Sequence, residues 1–140
     1  MQEIGIINRG IAAAISKQGH TDLLMVVDAG FAIPEDREVI DISFAVNKPT
    51  VMDVLTELKK FYSVERMIMA NQTKIVNPSF FENISQSFGA GIIVETVDHE
   101  VIREMSKTVK TVIRTGDFTA YGNVILVSGA GNRWIFEKPA

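Results

Sequence analysis

The sequence predicts one α/β domain over residues 1–140, three layers deep, with helices on both faces of a mostly parallel sheet. Three observations predict it. Apolar runs too short to be helices alternate with helical-period segments of ~10 residues. The run Leu23-Leu24-Met25-Val26-Val27 is apolar at every position, as a strand covered on both faces must be. A length of 140 residues fits one domain, and no linker, repeat or low-complexity segment divides it.

The elements follow in order. Ile7, Ile11, Ala14 and Ile15 recur at helical spacing behind Asn8, a good N-cap, so a helix is predicted from about Arg9 to Gln18. Gly19 suits a left-handed C-cap. The strand Leu23–Val27 ends in Asp28-Ala29-Gly30, and Phe31 to Glu38, with Pro34, reads as a loop before a short strand at Val39-Ile40-Asp41. Pro49-Thr50 opens a helix with the apolar stripe Val51, Val54, Leu55, Leu58 and Phe61. Val64 to Ala70 is the next strand. Asn77-Pro78 starts a helix lined by Phe80, Phe81, Ile84 and Phe88, which Gly89 and Gly91 end. Ile92 to Thr96 is a strand, and Asp98 caps a helix with the inner face Val101, Ile102 and Met105. Thr111 to Ile113 and Val124 to Val127 are the last strands, and Asn132 to Ala140 is a tail carrying Trp134 and Phe136.

Composition narrows the function classes. Net charge is −3 and the basic residues are scattered, so no affinity for nucleic acid is expected. There is no cysteine, which excludes disulfides, thiolate catalysis and zinc–cysteine sites. The start MQEIGIINRG does not read as a signal peptide, and no apolar stretch approaches the ~20 residues of a membrane span. The expectation is a cytoplasmic protein with no membrane partner.

Few residues can carry chemistry. His20 stands in Gly19-His20-Thr21-Asp22, and His99 in Asp98-His99-Glu100; they are the only two histidines. His20 reads as a candidate for chemistry or as a surface residue near a helix C-terminus, and His99 as a second candidate or as a solvated first-turn residue. Asp28 emerges at the carboxyl end of its strand, where α/β sheets bind ligands, and it also suits a plain turn. The segment Ile113 to Val124 joins two strands through polar groups, Tyr121, Gly122 and Asn123. Tyr and Asn suit a sugar, one offering a ring face and the other an amide that donates and accepts; a simple turn is the other reading. Gly129-Ala130-Gly131 matches the start of a dinucleotide fingerprint, but only nine residues follow it, too few for a crossover helix and strand. No spacing supports a metal site.

In order and spacing these residues resemble the ribose pyranase and fucose mutarotase family. Gly5-Ile6-Ile7-Asn8, Gly19-His20-Thr21-Asp22, Asp28-Ala29-Gly30, Ile33-Pro34, Asp41, Asn77-Pro78, His99-Glu100 and Val112-Ile113-Arg114-Thr115-Gly116 carry the resemblance from about residue 4 to Gly129. It implies a sugar-ring isomerase that interconverts the pyranose and furanose forms of ribose, with no metal and no cofactor. It implies a homo-oligomer, a decamer or octamer, with the site at a subunit interface. It maps the proton donor onto His20 and sugar binding onto Asp28, His99, Tyr121, Gly122 and Asn123, helped by Arg103. Asp28 is then expected either to orient His20 or to hold a sugar hydroxyl.

Three departures bear on the sugar. Thr119-Ala120-Tyr121-Gly122-Asn123 has the Tyr-Gly-Asn form common among fucose mutarotases, whereas ribose pyranases usually carry Tyr-Ala-Asn. Ala70-Asn71-Gln72-Thr73 replaces an Ala-Glu-Glu segment, and the C-terminus overruns the usual ending. The alternatives kept open are a mutarotase of L-fucose or another monosaccharide, a non-catalytic sugar-binding accessory of transport, and a purely structural oligomer.

Overall fold

Alternating side chains of the central strand point into two separate cores, which is why every one of them is apolar. In the computed structural model, which describes residues 1–131 and 133–138, Leu24 and Val26 of β1 (Leu23–Val27) enter one core while Met25 and Val27 enter the other. Asn132, Pro139 and Ala140, part of the tail read above, lie outside the described residues.

The other elements are α1 (Arg9–Lys17), β2 (Glu38–Asp41), α2 (Val51–Phe61), β3 (Val64–Ala70), α3 (Asn71–Val76), α4 (Pro78–Gln86), β4 (Ile93–Val97), α5 (His99–Met105), β5 (Thr111–Arg114) and β6 (Val124–Ser128). The strands form one sheet in the order β2-β5-β1-β6-β3-β4. β6 runs antiparallel to both its neighbours, β1 and β3, and the other pairings are parallel. The first core sets Ile11 of α1, Val51, Val54, Leu55 and Leu58 of α2, and Phe81 and Ile84 of α4 against the sheet. The second sets Ile102 of α5 and Val109 against its other face. The three-layer, mostly parallel prediction therefore holds. None of the helices is long and apolar enough to cross a membrane among the described residues.

Local signals account for most boundaries. The Asn8 side chain accepts from Ile11 N–H, and Thr50 and Asp53 form a reciprocal capping box at α2. Asp98 caps α5 by accepting from Glu100 N–H.

Other expectations need correction. α1 ends at an extended Gln18, not at a left-handed Gly19; Gly19 N–H donates to Asp22 Oδ2 at 2.7 Å, and Thr21 is the residue with positive φ, 70°. Asn77 makes no capping bond; its Nδ2 donates to Ala120 O at 2.8 Å instead. Phe61 and Val101 are exposed, not part of their helices' inner faces, because each sits at the margin of its apolar stripe. α3 was not anticipated, since its six residues NQTKIV carry no apolar period and leave Ile75 and Val76 in solvent.

Candidate functional site

The strand order creates the site. β5 and β6 are not neighbours, because β1 lies between them. The connection from Thr115 to Asn123 must therefore cross the carboxyl end of β1, where Asp28 emerges. Backbone bonds strap it there: Thr115 N–H donates to Val27 O at 3.1 Å, and Ala29 N–H to Asp117 O at 2.9 Å. Asn123 Oδ1 accepts from Asp28 N–H at 2.9 Å, and Asp28 Oδ2 accepts from Gly122 N–H at 3.0 Å. Fixing Oδ1 of Asn123 as an acceptor leaves its Nδ2 amino group as the end available to a ligand.

Asp28, Gly30, Phe31, Ala32, His99, Arg103, Tyr121 and Asn123 line one open cavity of about 460 Å³. Thus Asp28, His99, Arg103, Tyr121 and Asn123 come together at one cavity, and Gly122 N–H donates to Asp28 Oδ2. Tyr121 has φ 56°, a left-handed conformation uncommon for a bulky residue, and it is held by neighbours on both sides. α3 is one clamp: Thr73 Oγ1 donates to Tyr121 O at 2.7 Å, and Asn77 just beyond it holds Ala120 O. The ring of Tyr121 meets the His99 ring edge-on at 5.1 Å between centroids, and Phe31 meets His99 at 6.2 Å from another side.

His99 is thereby fixed by aromatic packing and by its own backbone, whose N–H donates to Gln72 Oε1 at 3.0 Å. Its Nδ1 is buried and has no hydrogen-bond partner among the described residues, so it presents a polar atom that a ligand hydroxyl could satisfy. Phe31, Gln72 and Thr73 are supporting residues that sequence reasoning missed, and Asn77, read there as a helix start, supports the loop through Ala120 O. Gln72 and Thr73 fall in the segment that departs from the family pattern, which is the only signal that marked them.

Asp28 is a carboxylate under tension. Burial raises its pKa above 3.8, opposed by hydrogen bonds from the N–H groups of Gly30, Gly122 and Phe31, while the nearby Asp117 charge adds to the rise. The folded state therefore holds this proton more tightly than the unfolded chain. Its contribution to stability is complete below 3.8 and is lost as pH rises through the higher folded value. The Cγ resonance of Asp28 in carbon NMR is expected to titrate above 3.8; a midpoint at or below that value would contradict the assignment.

His20 is not in this cavity. It precedes β1 whereas Asp28 follows it, so the two stand at opposite edges of the sheet, on the order of 20 Å apart at strand rise. Within one protomer Asp28 cannot orient His20. The His20 backbone is held by its neighbour, Thr21 N–H, which donates to Ser128 O at 2.8 Å. Its Nε2 lies 3.2 Å from Glu65 Oε2, and its side chain is 68% exposed. It lines a second cavity of about 490 Å³ together with Gln18, Tyr62, Ser128 and the tail residues Trp134 and Phe136. Among the described residues, no three or more His, Asp or Glu side chains gather as a metal-binding group.

Known proteins match this chain over most of its length. A sequence profile of the RbsD / FucU transport protein family covers residues 1–131. A D-ribose pyranase of Clostridium tetani is 40% identical over 129 residues, 92% of this chain and 98% of its own. A D-ribose pyranase of Pseudothermotoga lettingae is 33% identical over 129 residues, 92% of each chain. Bacillus subtilis RbsD, solved in complex with D-ribose, superposes with a TM-score of 0.88 at 33% identity, covering 93% of this chain and 98% of that one. The fucose mutarotase of Streptococcus pneumoniae, solved with L-fucose, shares the fold with a TM-score of 0.73 at 17% identity, covering 89% of this chain and 94% of that one. The mixed six-stranded sheet, the cavity at its carboxyl edge and these matches agree: the chain belongs to the RbsD / FucU transport protein family.

Proposed function

We propose that this protein is a sugar-ring isomerase that interconverts β-D-ribopyranose and β-D-ribofuranose, and that it acts as a homo-oligomer. The observation that carries the reading is the cavity in which Asp28, His99, Tyr121 and Asn123 converge. It offers an acceptor carboxylate, an unpartnered ring nitrogen, an amide donor and an aromatic face, a set suited to a polyhydroxylated ring. Relatives named D-ribose pyranase at 33% and 40% identity favour ribose over fucose, whose mutarotase matches at 17%.

The chemistry needs only protons moved in concert. A base takes the proton of the anomeric hydroxyl, the bond from C1 to the ring oxygen breaks, and an acid protonates that oxygen. The open-chain aldehyde then closes through the C4 hydroxyl, which gives up its proton to a base as the new C1–O bond forms, while the aldehyde oxygen takes a proton from an acid and becomes the new anomeric hydroxyl. Imidazole suits both directions because it titrates near neutral pH in its unperturbed form. Help of this kind is typically worth ~10² to 10⁴-fold, which is enough for a reaction that already runs in water.

His20 supplies that imidazole from a neighbouring copy of the chain, docked so that its sheet edge meets the cavity of the first. Exposed apolar side chains support such an association: Ile4, Phe44 and Phe118 are 86%, 84% and 66% exposed. Asp28, His99, Arg103, Tyr121 and Asn123 then bind and orient the sugar.

NMR saturation transfer between anomeric protons tests the reading across ribose, fucose and galactose. Ribose pyranose–furanose exchange is expected to accelerate most. Faster exchange of fucose alone would make the protein a fucose mutarotase, and exchange no faster than in buffer for any sugar would end the enzymatic reading.

A further inference from the structure

His20 has little but one side chain to aim it. Within one protomer its ring is 68% exposed, so packing there does not hold its rotamer, and its one side-chain partner among the described residues is Glu65, at 3.2 Å from Nε2. A carboxylate accepts and does not donate, so this contact requires the proton on Nε2 and leaves the lone pair of the neutral ring on Nδ1.

Resting on the reading of His20 as the proton-transfer residue, we infer that Glu65 is its positioning residue, and that Nδ1 is the atom that exchanges protons with the sugar. Glu65 lies near the start of β3, next to the end of β6. The same end of β6 fixes the His20 segment, through the bonds of Ser128 with Thr21 and Asp22. Both partners therefore hang from one rigid sheet edge, which fixes the distance between them. The chain also makes room for the carboxylate. A Cβ at Gly129 would lie 2.5 Å from Glu65 Oε2 and Cδ, so a glycine there is what allows Glu65 to lie across β6 toward His20. Of the other polar groups of this cavity, Ser128 Oγ contacts both the Tyr62 hydroxyl and Gln18 Oε1, and Gln18 Nε2, which can donate but not accept, has no partner among the described residues. Burial pushes the Tyr62 hydroxyl up to about 12, so it keeps its proton at neutral pH and does not compete as a base.

Two variants separate this role from general stability. Glu65→Ala removes the carboxylate; Gly129→Ala keeps it but displaces it from His20. Each is expected to lower the maximal ribose exchange rate by roughly tenfold or more, with the ribose concentration for half-maximal exchange unchanged. In ligand-free protein, nitrogen NMR of the His20 ring should show a nearly pure Nε2–H form. Both variants should relax toward the tautomer mixture of a solvent-exposed imidazole. A wild-type ring protonated on Nδ1, or a maximal rate that survives both changes, overturns the inference. Wild-type protein that leaves ribose exchange at the buffer rate overturns the isomerase reading instead, and the ligand-free ring spectra still judge the Glu65 contact.

Discussion

Replacing His20 by alanine is expected to reduce ribose ring exchange by ~10² to 10⁴-fold while leaving the fold and sugar binding in place. The fold survives because the side chain is 68% exposed and enters neither core, while the segment is held by backbone bonds to Ser128 that alanine retains. Binding survives because Asp28, His99, Tyr121 and Asn123 form their cavity without residue 20. Saturation transfer measures the exchange, and ribose titration followed at the Asp28 and His99 resonances measures binding. Undiminished exchange would remove His20 from the reaction.

The same variant tests the shared site. His20→Ala and Asp28→Asn are each expected to be inactive alone. If His20 of one copy serves the Asp28 of another, refolding an equal mixture should restore intact pairs at about a quarter of the interfaces. If the mixture stays as inactive as its components, the two groups do not meet between copies.

Gly116→Ala is expected to destabilise the fold by about 3 kcal/mol, through overpacking against backbone that cannot withdraw. A Cβ there would overlap the Ala45 carbonyl oxygen and come 3.0 Å from Lys48 O. Those carbonyls belong to a turn pinned by Asn47 N–H donating to Gly116 O at 2.7 Å and by Gly116 N–H donating to Pro49 O at 2.9 Å. The neighbouring Asp117 ties the same loop to α2, with Oδ2 accepting from Val51 N–H at 2.9 Å. Thermal unfolding should show a loss of about 10 °C for a chain of this size. Gly30→Ala is the control: the nearest atom to its new Cβ is 3.9 Å away, and no loss of stability is expected. Equal stability of the two variants would show that the Ala45–Lys48 turn yields more easily than its hydrogen bonds suggest.

The candidate site was legible as a set of residues but not as an arrangement. Asp28 could be placed because an apolar run followed by Asp-Ala-Gly puts a carboxylate at a strand's carboxyl end. Tyr121, Gly122 and Asn123 stood out because their loop is unusually polar between two apolar strands. Nothing local revealed that this loop crosses β1, since that depends on β1 lying between β5 and β6. α3 escaped because a six-residue polar helix has no periodicity to read, and its stability comes from contacts such as Thr73 with Tyr121. Gln72 stood out only as part of a segment that departs from the family pattern, which gave no sign that it holds the His99 backbone. Glu65 gave no sign because it touches His20 only through the pairing of β3 with β6.

By itself the sequence determined the α/β layering, most element boundaries, the family pattern and the short roll of candidate site residues. These are encoded in spacing, caps and apolar period, which act over a few residues. Tertiary structure alone decided which of those residues meet. It gathered Asp28, His99, Arg103, Tyr121 and Asn123 at one edge of the sheet and left His20 with Glu65 at the other. The reason is that contact across a sheet depends on strand order, and strand order is a property of the whole packed chain rather than of any segment within it.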